Sequence, residues 1–298
     1  MRWDHGGMAQ TTTATESVAL RLPNGTLEAV LAPGDGMLVT SLRHHDTELL
    51  GPKGIPFLAP WANRLEGDHV TLGGRPVDLT GAPSVERDEH GLPIHGLLKH
   101  SPLWRVFAHT NWALAAELDF GAQPSLLELF PFPHRLVMRA DLGARTLTLR
   151  TTVTAGPENA VPVSFGFHPY FALPDVARGM WRVELPALEH LELDGCGIPT
   201  GVSEYLASDC FILGHRVYDD GYAGVRRGAR FALSGGGRRI TVRFDAGYPC
   251  AQVYAPADDD VICFEPMTAP TNALVGGDGL TWVQPGSSYT ATFSISLS

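Results

Sequence analysis

The sequence predicts an all-β protein, a large antiparallel β-sandwich in a single domain. Glycine and proline are frequent, with 33 and 23 copies in 298 residues, so turns should be common and long helices rare. Apolar and polar residues alternate over 111–120, 145–154 and 289–298, which is typical of strands with one buried face. No long stretch has a helical period, and no repeat or linker divides the chain. We therefore expect one folded unit over residues 17–298.

The domain is expected to begin with a β-meander. Alternating segments at 17–22, 27–32 and 37–42 are separated by the sequences Pro-Asn-Gly and Pro-Gly-Asp-Gly. These sequences favour turns because proline fixes one backbone angle and glycine or asparagine tolerates a positive φ. The three segments should therefore pair in chain order.

A tight hairpin is predicted next. The segments 69–72 and 76–79 flank Gly73 and Gly74. Glycine adopts the positive φ angles that short hairpin turns require. The two segments are therefore expected to pair with each other.

Composition limits the class of function. The formal net charge of −10 leaves no basic surface for nucleic acid or anionic membranes, and no apolar run approaches the roughly 18 residues of a membrane span. The four cysteines have no metal-type spacing, so we expect reduced thiols, no metal site and a cytoplasmic protein. Residues 1–16 lack signal-peptide features and are expected to be a loose leader, with Met1 or Met8 as the start.

His168 is the first candidate for chemistry. It lies in the aromatic segment SFGFHPYFAL and precedes Pro169, which steers its backbone toward an extended conformation. An unperturbed histidine has a pKa near 6.5, so a small environmental shift lets it give or take a proton at neutral pH. The segment alone fits a core histidine beside a strand-end proline equally well.

Glu265 is the second candidate. It follows the apolar run 261–264 and precedes Pro266, so we expect it at the end of a buried strand, with its direction fixed. A buried carboxylate is costly unless it is paired, so this one should face a polar cleft or a partner. Opposite a histidine, it would complete an acid–base pair.

Asn63 and Arg64 are adjacent polar residues in the otherwise apolar segment IPFLAPWANRLEG. The planar donors of arginine and the amide of asparagine could together hold neighbouring hydroxyl groups. The alternative is a surface pair between Arg64 and Glu66.

Two further segments carry weaker signals. His95 precedes Gly96, where the backbone can turn tightly, although a lone histidine is usually structural. Asp219 and Asp220 precede a glycine in the segment RVYDDGYAGV, which by itself usually indicates a solvated turn. If the turn is functional, one aspartate would accept hydrogen bonds from sugar hydroxyls.

Together these segments resemble the motif series of the aldose 1-epimerases, also called galactose mutarotases, from about Val18 to the C-terminus. The motifs are, in chain order, IPFLAPWANRLEG, IHGLLKHSPLW, FGFHPYFAL, YDDGYAGV, AQVYAP and FEPMTAPTNAL. Any one would be weak evidence, but the complete series in the family's order is specific. The resemblance implies the large antiparallel β-supersandwich of that family, with a sugar bound in an open cleft and no cofactor or metal.

The resemblance also implies roles. Glu265, in the Glu-Pro motif, corresponds to the general base, and His168, in the His-Pro-Tyr-Phe motif, corresponds to the general acid. The implied sugar-binding residues are Asn63, Arg64, His95, Tyr170, Asp219 and Gln252. Asp220 is the less favoured of the two aspartates. The implied reaction interconverts the α and β anomers of a free hexose by ring opening and closure.

Two departures from the family pattern leave the sugar open, whether galactose, glucose or a modified hexose. Leu97 stands where a second glycine commonly follows His-Gly, and Met267 replaces a glutamine often found after Glu-Pro. We expect a small sugar as the partner, and a monomer or homodimer.

Two other functions remain open. A hexose-6-phosphate 1-epimerase would keep the acid–base pair and add cations at the cleft rim, for which Lys99, His100 and Arg87 are the candidates. A non-catalytic carbohydrate-binding β-sandwich would keep the aromatic residues and Arg64 without needing both members of the pair.

Overall fold

The computed structural model describes residues 17–23 and 25–298, so the leader expected over residues 1–16 lies outside the described residues. Strands dominate the fold. They are β1 (Val18–Arg21), β2 (Leu27–Ala32), β3 (Leu38–His44), β4 (Thr47–Glu48), β5 (Phe57–Leu58), β6 (His69–Leu72), β7 (Arg75–Asp78), β8 (Arg105–Thr110), β9 (Ala113–Asp119), β10 (His134–Leu142), β11 (Thr146–Ala155), β12 (Val161–Val163), β13 (Gly166–Phe167), β14 (Tyr170–Phe171), β15 (Arg182–Leu185), β16 (Leu188–Leu193), β17 (Pro199–Leu206), β18 (Asp209–Ile212), β19 (Tyr218–Ala223), β20 (Ala229–Gly235), β21 (Arg238–Ala246), β22 (Cys250–Ala255), β23 (Ile262–Met267), β24 (Thr281–Val283) and β25 (Ser288–Leu297). The helical elements are α1 (Pro124–Leu129), α2 (Ala273–Gly276) and the 3-10 turns Phe120–Ala122 and Arg178–Met180.

Two large antiparallel sheets form the body of the protein. One has nine strands in the order β18-β15-β20-β21-β25-β11-β10-β9-β8. The other has the order β17-β16-β19-β22-β23-β13-β5, with β14 added beside β23. The predicted all-β antiparallel architecture is therefore confirmed. The predicted three-stranded meander is β1 to β3, which β4 extends, and the predicted hairpin is β6 with β7.

The core lies between the two large sheets. Phe264 of β23 packs against Phe231 of β20, with ring centroids 5.7 Å apart, and Phe167 of β13 packs against Phe293 of β25 at 5.0 Å. All four side chains are almost fully buried. Burying such a side chain contributes about 1.5–3 kcal/mol, so contacts of this kind hold the sheets together.

The strand that carries Glu265 differs from the sequence prediction. β23 does not end at Glu265 but continues through Pro266 to Met267. β22 pairs along one side of it, whereas on the other side β13 pairs only at Met267 and β14 only at Cys263 and Ile262. Proline is tolerated within a sheet where the ladder of hydrogen bonds is interrupted, as it is here.

Candidate active site

Strand register brings the polar residues of three neighbouring strands to one face of the smaller sheet. Glu265 of β23 lies opposite Gln252 of β22, which lies opposite Gly221 of β19. Side chains two residues apart share a face, so Asp219 and Tyr254 project to the same side as this row. Gln252 donates to Asp219 at 2.7 Å, which joins two of these strands by their side chains.

The interruption between β13 and β14 places His168 beside Glu265. The His168 amide donates to the Pro56 carbonyl at 3.1 Å, and the Tyr170 amide donates to the Gly54 carbonyl at 3.0 Å. These bonds fix the segment on both sides of the imidazole. His168 Nε2 consequently lies 3.3 Å from Glu265 Oε1.

A tight loop brings His95 to the same place. His95 and Gly96 both have positive φ angles, of 65° and 70°. A side chain at position 96 is excluded, because a Cβ there would lie 2.2 Å from the Ala59 carbonyl oxygen. A histidine held in this unfavourable conformation is typical of functional sites. Its ring lies 5.7 Å from the ring of His168, nearly at right angles.

These elements enclose a cleft of about 310 Å³, within the range of small-molecule sites. Every residue expected at the site from the sequence lines it, namely Asn63, Arg64, His95, His168, Tyr170, Asp219, Gln252 and Glu265. Asp220 lines a neighbouring cavity instead and pairs with His190 at 3.0 Å.

Glu265 and His168 are both almost completely buried, and burial opposes the charged form of each. Burial raises the pKa of Glu265 well above its ordinary value, and the negative charge of Asp219 raises it further, against the opposing effect of Arg64. Burial lowers the pKa of His168 well below its ordinary value, and the charges of His95 and the nearby lysines lower it further. Because burial opposes both charges, the favoured state is a protonated carboxyl beside a neutral imidazole, so the pair holds one proton in total.

Tyr170 supports the imidazole of His168. The two rings stack almost in parallel, with centroids 4.1 Å apart, and the tyrosine hydroxyl lies 3.2 Å from Nε2. Burial raises the pKa of Tyr170, so this hydroxyl remains protonated and can donate a hydrogen bond. The ring also excludes water from one side of the acid–base pair.

Arg64 is held at the other end of the cleft by carboxylates. Its Nε donates to Asp88 at 2.6 Å, and one terminal nitrogen lies 3.4 Å from Asp219. Burial alone would lower the pKa of Arg64, but Asp219 and Asp88 outweigh that effect and raise it. Asn63 accepts from the Arg64 amide at 2.9 Å. The guanidinium is therefore charged and fixed before any ligand binds, whereas the surface pair with Glu66 is not formed.

The sequence interpretation missed several residues of the cleft. The side chain of Asp88 is nearly inaccessible, and it also accepts hydrogen bonds from the amides of His90 and Leu92. Its position three residues before Gly91 could have predicted such a turn. Tyr254 also lines the cleft. It lies two residues after Gln252, and residues at that spacing in a strand share a face, so its position could have been predicted.

Glu86 is another carboxylate of the cleft that was missed. Its side chain lies 3.5 Å from His95 Nδ1 and 2.7 Å from Lys99 Nζ. The hydrogen bond with His95 is the main cause that lowers the pKa of Glu86 to about 2, with Lys99 adding to it. The fixed carboxylate orients both side chains toward the cleft.

Two kinds of feature are absent from the described residues. The described residues contain no group of histidines, cysteines and carboxylates arranged to hold a metal ion. Over the same part of the chain, no helix is both long and apolar enough to cross a membrane.

Solved structures with the same fold cover almost the whole chain. The Slr1438 protein from Synechocystis sp. PCC 6803 is 24% identical, with a TM-score of 0.75, covering 98% of this chain and 99% of its own. A galactose mutarotase related enzyme from Lactobacillus acidophilus is 17% identical, with a TM-score of 0.80 and coverages of 95% and 97%. A galactose mutarotase-like protein from Clostridium acetobutylicum is also 17% identical, with a TM-score of 0.80 and coverages of 94% and 95%. At these identities the likeness shows the fold alone.

No curated protein sequence matches the chain significantly. The family profile described as aldose 1-epimerase, in contrast, matches residues 19–296. That range contains both large sheets except the last residue of β25, and every residue of the cleft described above. The chain therefore belongs to the aldose 1-epimerase family.

Proposed function

We propose that the protein is an aldose 1-epimerase that interconverts the α and β anomers of a free hexose. The observation that carries the proposal is the adjacency of Glu265 and His168, 3.3 Å apart and buried in the wall of an open polar cleft. Sugar epimerisation at the anomeric carbon needs one group to take a proton and another to give one. A buried pair that shares one proton meets that need.

In the proposed mechanism Glu265 removes the proton of the anomeric hydroxyl while His168 gives a proton to the ring oxygen. The bond between the anomeric carbon and the ring oxygen breaks, and an open-chain aldehyde forms. After rotation about the bond to the second carbon, the hydroxyl that was the ring oxygen attacks the other face of the aldehyde. During closure His168 takes back the proton of the attacking hydroxyl, and Glu265 returns its proton to the aldehyde oxygen, which becomes the anomeric hydroxyl. Glu265 is then deprotonated and His168 protonated again, so the enzyme is regenerated.

The remaining cleft residues would hold the rest of the sugar. Arg64, Asp219 and Gln252 present donors and acceptors that are already fixed by one another, so little ordering is needed on binding. His95 projects toward the acid–base pair from the opposite wall. Each well-placed acid or base typically contributes about 10²–10⁴-fold, and ring opening occurs unaided in water, so two such groups suffice.

The hexose-6-phosphate alternative is disfavoured by ion pairing. The three basic residues expected to bind a phosphate each lie beside a carboxylate: Lys99 beside Glu86, His100 beside Asp35 and Arg87 beside Asp68. Among the described residues of the cleft, Lys53 is the cation without a carboxylate partner, and its ammonium lies 5.1 Å above the ring of Tyr170. One lysine is a weak counter-charge for a dianion.

A non-catalytic sugar-binding protein is disfavoured by burial. Keeping Glu265 and His168 in a nearly inaccessible position opposes the charged form of both side chains. Sugar binding alone does not require the unfavourable burial of two ionisable side chains. Catalysis does, because water must be excluded from the proton transfers.

Polarimetry tests the proposal. The optical rotation of freshly dissolved α-glucose and α-galactose is followed near neutral pH, with the wild-type protein and the Glu265→Gln variant in parallel. We expect the wild-type protein alone to accelerate the decay with at least one sugar. Acceleration only with hexose 6-phosphates would support the phosphate alternative, and no acceleration with any of these sugars would support the binding protein.

The cellular setting is part of the same proposal. All four cysteines are free, which agrees with the cytoplasmic location expected from the sequence. The proposed partner is the sugar, and we propose a monomer or homodimer.

A further inference from the structure

Asn272 lies at the end of a turn that leads from the strand of the proposed base to the segment that carries Arg64. It follows Glu265 by seven residues. Thr268, between them, is fixed because both its amide and its hydroxyl donate to the Phe165 carbonyl, at 3.0 and 2.9 Å. The position of Asn272 is therefore tied to the strand that places Glu265 in the cleft.

The backbone of Asn272 adopts the left-handed conformation, with φ of 64° and ψ of 7°. Asparagine is one of the few residues besides glycine that adopt it readily. In this conformation the Asn272 amide donates to the Arg64 carbonyl at 3.1 Å. The side chain accepts from the Glu66 amide at 3.1 Å through Oδ1 and donates to the Glu66 carboxylate at 2.8 Å through Nδ2. One residue thus makes three hydrogen bonds to the two residues that flank Leu65.

The loop that carries His95 holds the opposite edge of the same segment. The His95 amide donates to the Asn63 carbonyl at 3.3 Å, and the Leu65 amide donates to the Pro93 carbonyl at 2.9 Å. Alternate residues of an extended chain direct their backbone groups to opposite sides, as these bonds do. The backbone that carries the guanidinium is therefore bonded along both edges.

The backbone of Arg64 and its guanidinium are held by different partners. Asp88 bonds the guanidinium, whereas Asn272 bonds the backbone from which the side chain starts. The terminal nitrogen of Arg64 that faces Asp219 lies 3.4 Å from it, which is close to the limit of a hydrogen bond. A small displacement of the backbone would therefore break that contact and move the donors that face the cleft.

We propose that Asn272 is a positioning residue for sugar binding, because it fixes the backbone of Arg64 relative to the strand of Glu265. The inference rests on the proposed function, which takes Arg64 as a binding residue and Glu265 as the base. A purely structural role, in which Asn272 only stabilises the turn before α2, would change the amount of folded protein and leave KM unchanged.

The first test is Asn272→Gly. Glycine keeps the left-handed backbone and the amide bond to Arg64, and removes only the two side-chain bonds with Glu66. We expect the KM for glucose or galactose to rise about threefold, with kcat within about twofold of wild type. Titration calorimetry with the same sugar should show an equal rise in Kd. Asn159→Gly is the matched control, because it removes a bond with Arg75 outside the cleft, and it should alter none of these constants.

The second test exchanges donor and acceptor between Asn272 and Glu66. Asn272→Asp alone places a carboxylate beside that of Glu66, and the repulsion should raise KM about fivefold. Adding Glu66→Gln restores the pair, because the amide of residue 66 can then donate to the carboxylate of residue 272. We expect the KM of the double variant to return to within about twofold of wild type.

The outcomes separate this proposal from the proposed function. Unchanged KM and Kd in Asn272→Gly would overturn the positioning role, even if Tm falls, and so would a double variant as impaired as Asn272→Asp. If Asn272→Asp does not fold, the comparison of Asn272→Gly with Asn159→Gly decides. If the wild-type protein binds hexoses without epimerising them, the proposed function is overturned and the Kd values decide the role of Asn272. A wild-type protein that neither binds nor epimerises a hexose would overturn both.

Discussion

The two ends of the cleft are built in opposite ways. At one end Glu265 Oε1 and His168 Nδ1 are buried without a hydrogen-bond partner in the described part of the chain. At the other end Arg64 is bonded to Asp88 and lies beside Asp219, which in turn accepts from Gln252. Both groups proposed for proton transfer have an unsatisfied atom. At the binding end Arg64 and Asp219 are held by their neighbours, although Gln252 Oε1 has no hydrogen-bond partner among the described residues.

This difference indicates that one end of the cleft serves proton transfer and the other serves sugar binding. A satisfied network is rigid and presents its remaining donors and acceptors in a fixed arrangement. An unsatisfied buried pair destabilises the empty protein but is free to bond the reacting atoms of the sugar. Substitutions at the first end should therefore change kcat, and substitutions at the second should change KM.

The largest effect is expected for Glu265→Gln. The amide keeps the shape of the side chain but cannot take the proton of the anomeric hydroxyl. We expect kcat to fall about 10³-fold, with KM within about threefold of wild type. Steady-state polarimetry measures both. Unchanged turnover would remove Glu265 from the role of base.

A smaller loss is expected for His168→Gln. The amide can still donate a hydrogen bond to the ring oxygen but cannot transfer its proton fully, so kcat should fall about 10²-fold. The same assay measures it. Tyr170→Phe is the matched comparison, because it keeps the stacked ring and removes only the hydroxyl, and its kcat should fall less. A KM effect without a kcat effect in His168→Gln would contradict the comparison of the two ends.

At the binding end, Asp88→Asn is expected to raise KM about tenfold, equivalent to about 1.4 kcal/mol, with kcat within about threefold. Asp88 positions Arg64 through a charge-assisted bond, and its removal loosens the guanidinium. Asp175→Asn, which removes an exposed pair with Arg238, is the control and should leave both constants unchanged. A kcat loss at constant KM in Asp88→Asn would give Arg64 a role in the transition state.

The activity should also depend on pH, through the titration of Glu265 and His168 at the first end of the cleft. The pKa of His168 is lowered below 6.5 and that of Glu265 is raised above 4.5, both chiefly by burial. Lowering the pH through the depressed pKa adds a second proton to the pair and removes the base, so the acid limb of the kcat profile should lie below pH 6.5. A half-maximal point at or above pH 6.5 would contradict the lowering of the pKa of His168 by burial.

The smallest expected effect is on stability. A carboxyl whose pKa is raised in the folded state costs stability above its unfolded value, and the cost disappears as the pH falls below that value. Glu265→Gln should therefore raise Tm at pH 7 by about 2–4 °C, for a gain of about 1 kcal/mol, and by less near pH 4. Thermal unfolding at the two pH values measures this. A lower Tm at pH 7 would show that the carboxylate stabilises the fold.

The sequence predicted much of the fold because its signals are local. Alternation in β11 and β25 gave the buried residues of both strands, and the turn glycines gave the hairpin of β6 with β7. The exact course of β23 was not predictable, because Pro266 reads as a strand end. Whether it ends the strand depends on the interrupted pairing with β13 and β14, which is a property of distant segments.

The site was predicted less completely than the fold. The motif series indicated every residue that we predicted for the cleft. It gave no indication that Asp88, 24 positions away in the chain, bonds Arg64. The pairing of Glu86 with His95 and Lys99 also arises only when the loops meet. Contacts between loops depend on three-dimensional packing and leave no periodic pattern in the sequence.

The most direct test of the account is exchange spectroscopy on the anomeric protons of a hexose at equilibrium. Nuclear magnetic resonance detects transfer of magnetisation between the α and β signals, without any net reaction. We expect exchange cross-peaks with wild-type protein and none above the spontaneous level with Glu265→Gln at the same concentration. Equal cross-peaks with both proteins would contradict the central claim that Glu265 and His168 form the acid–base pair.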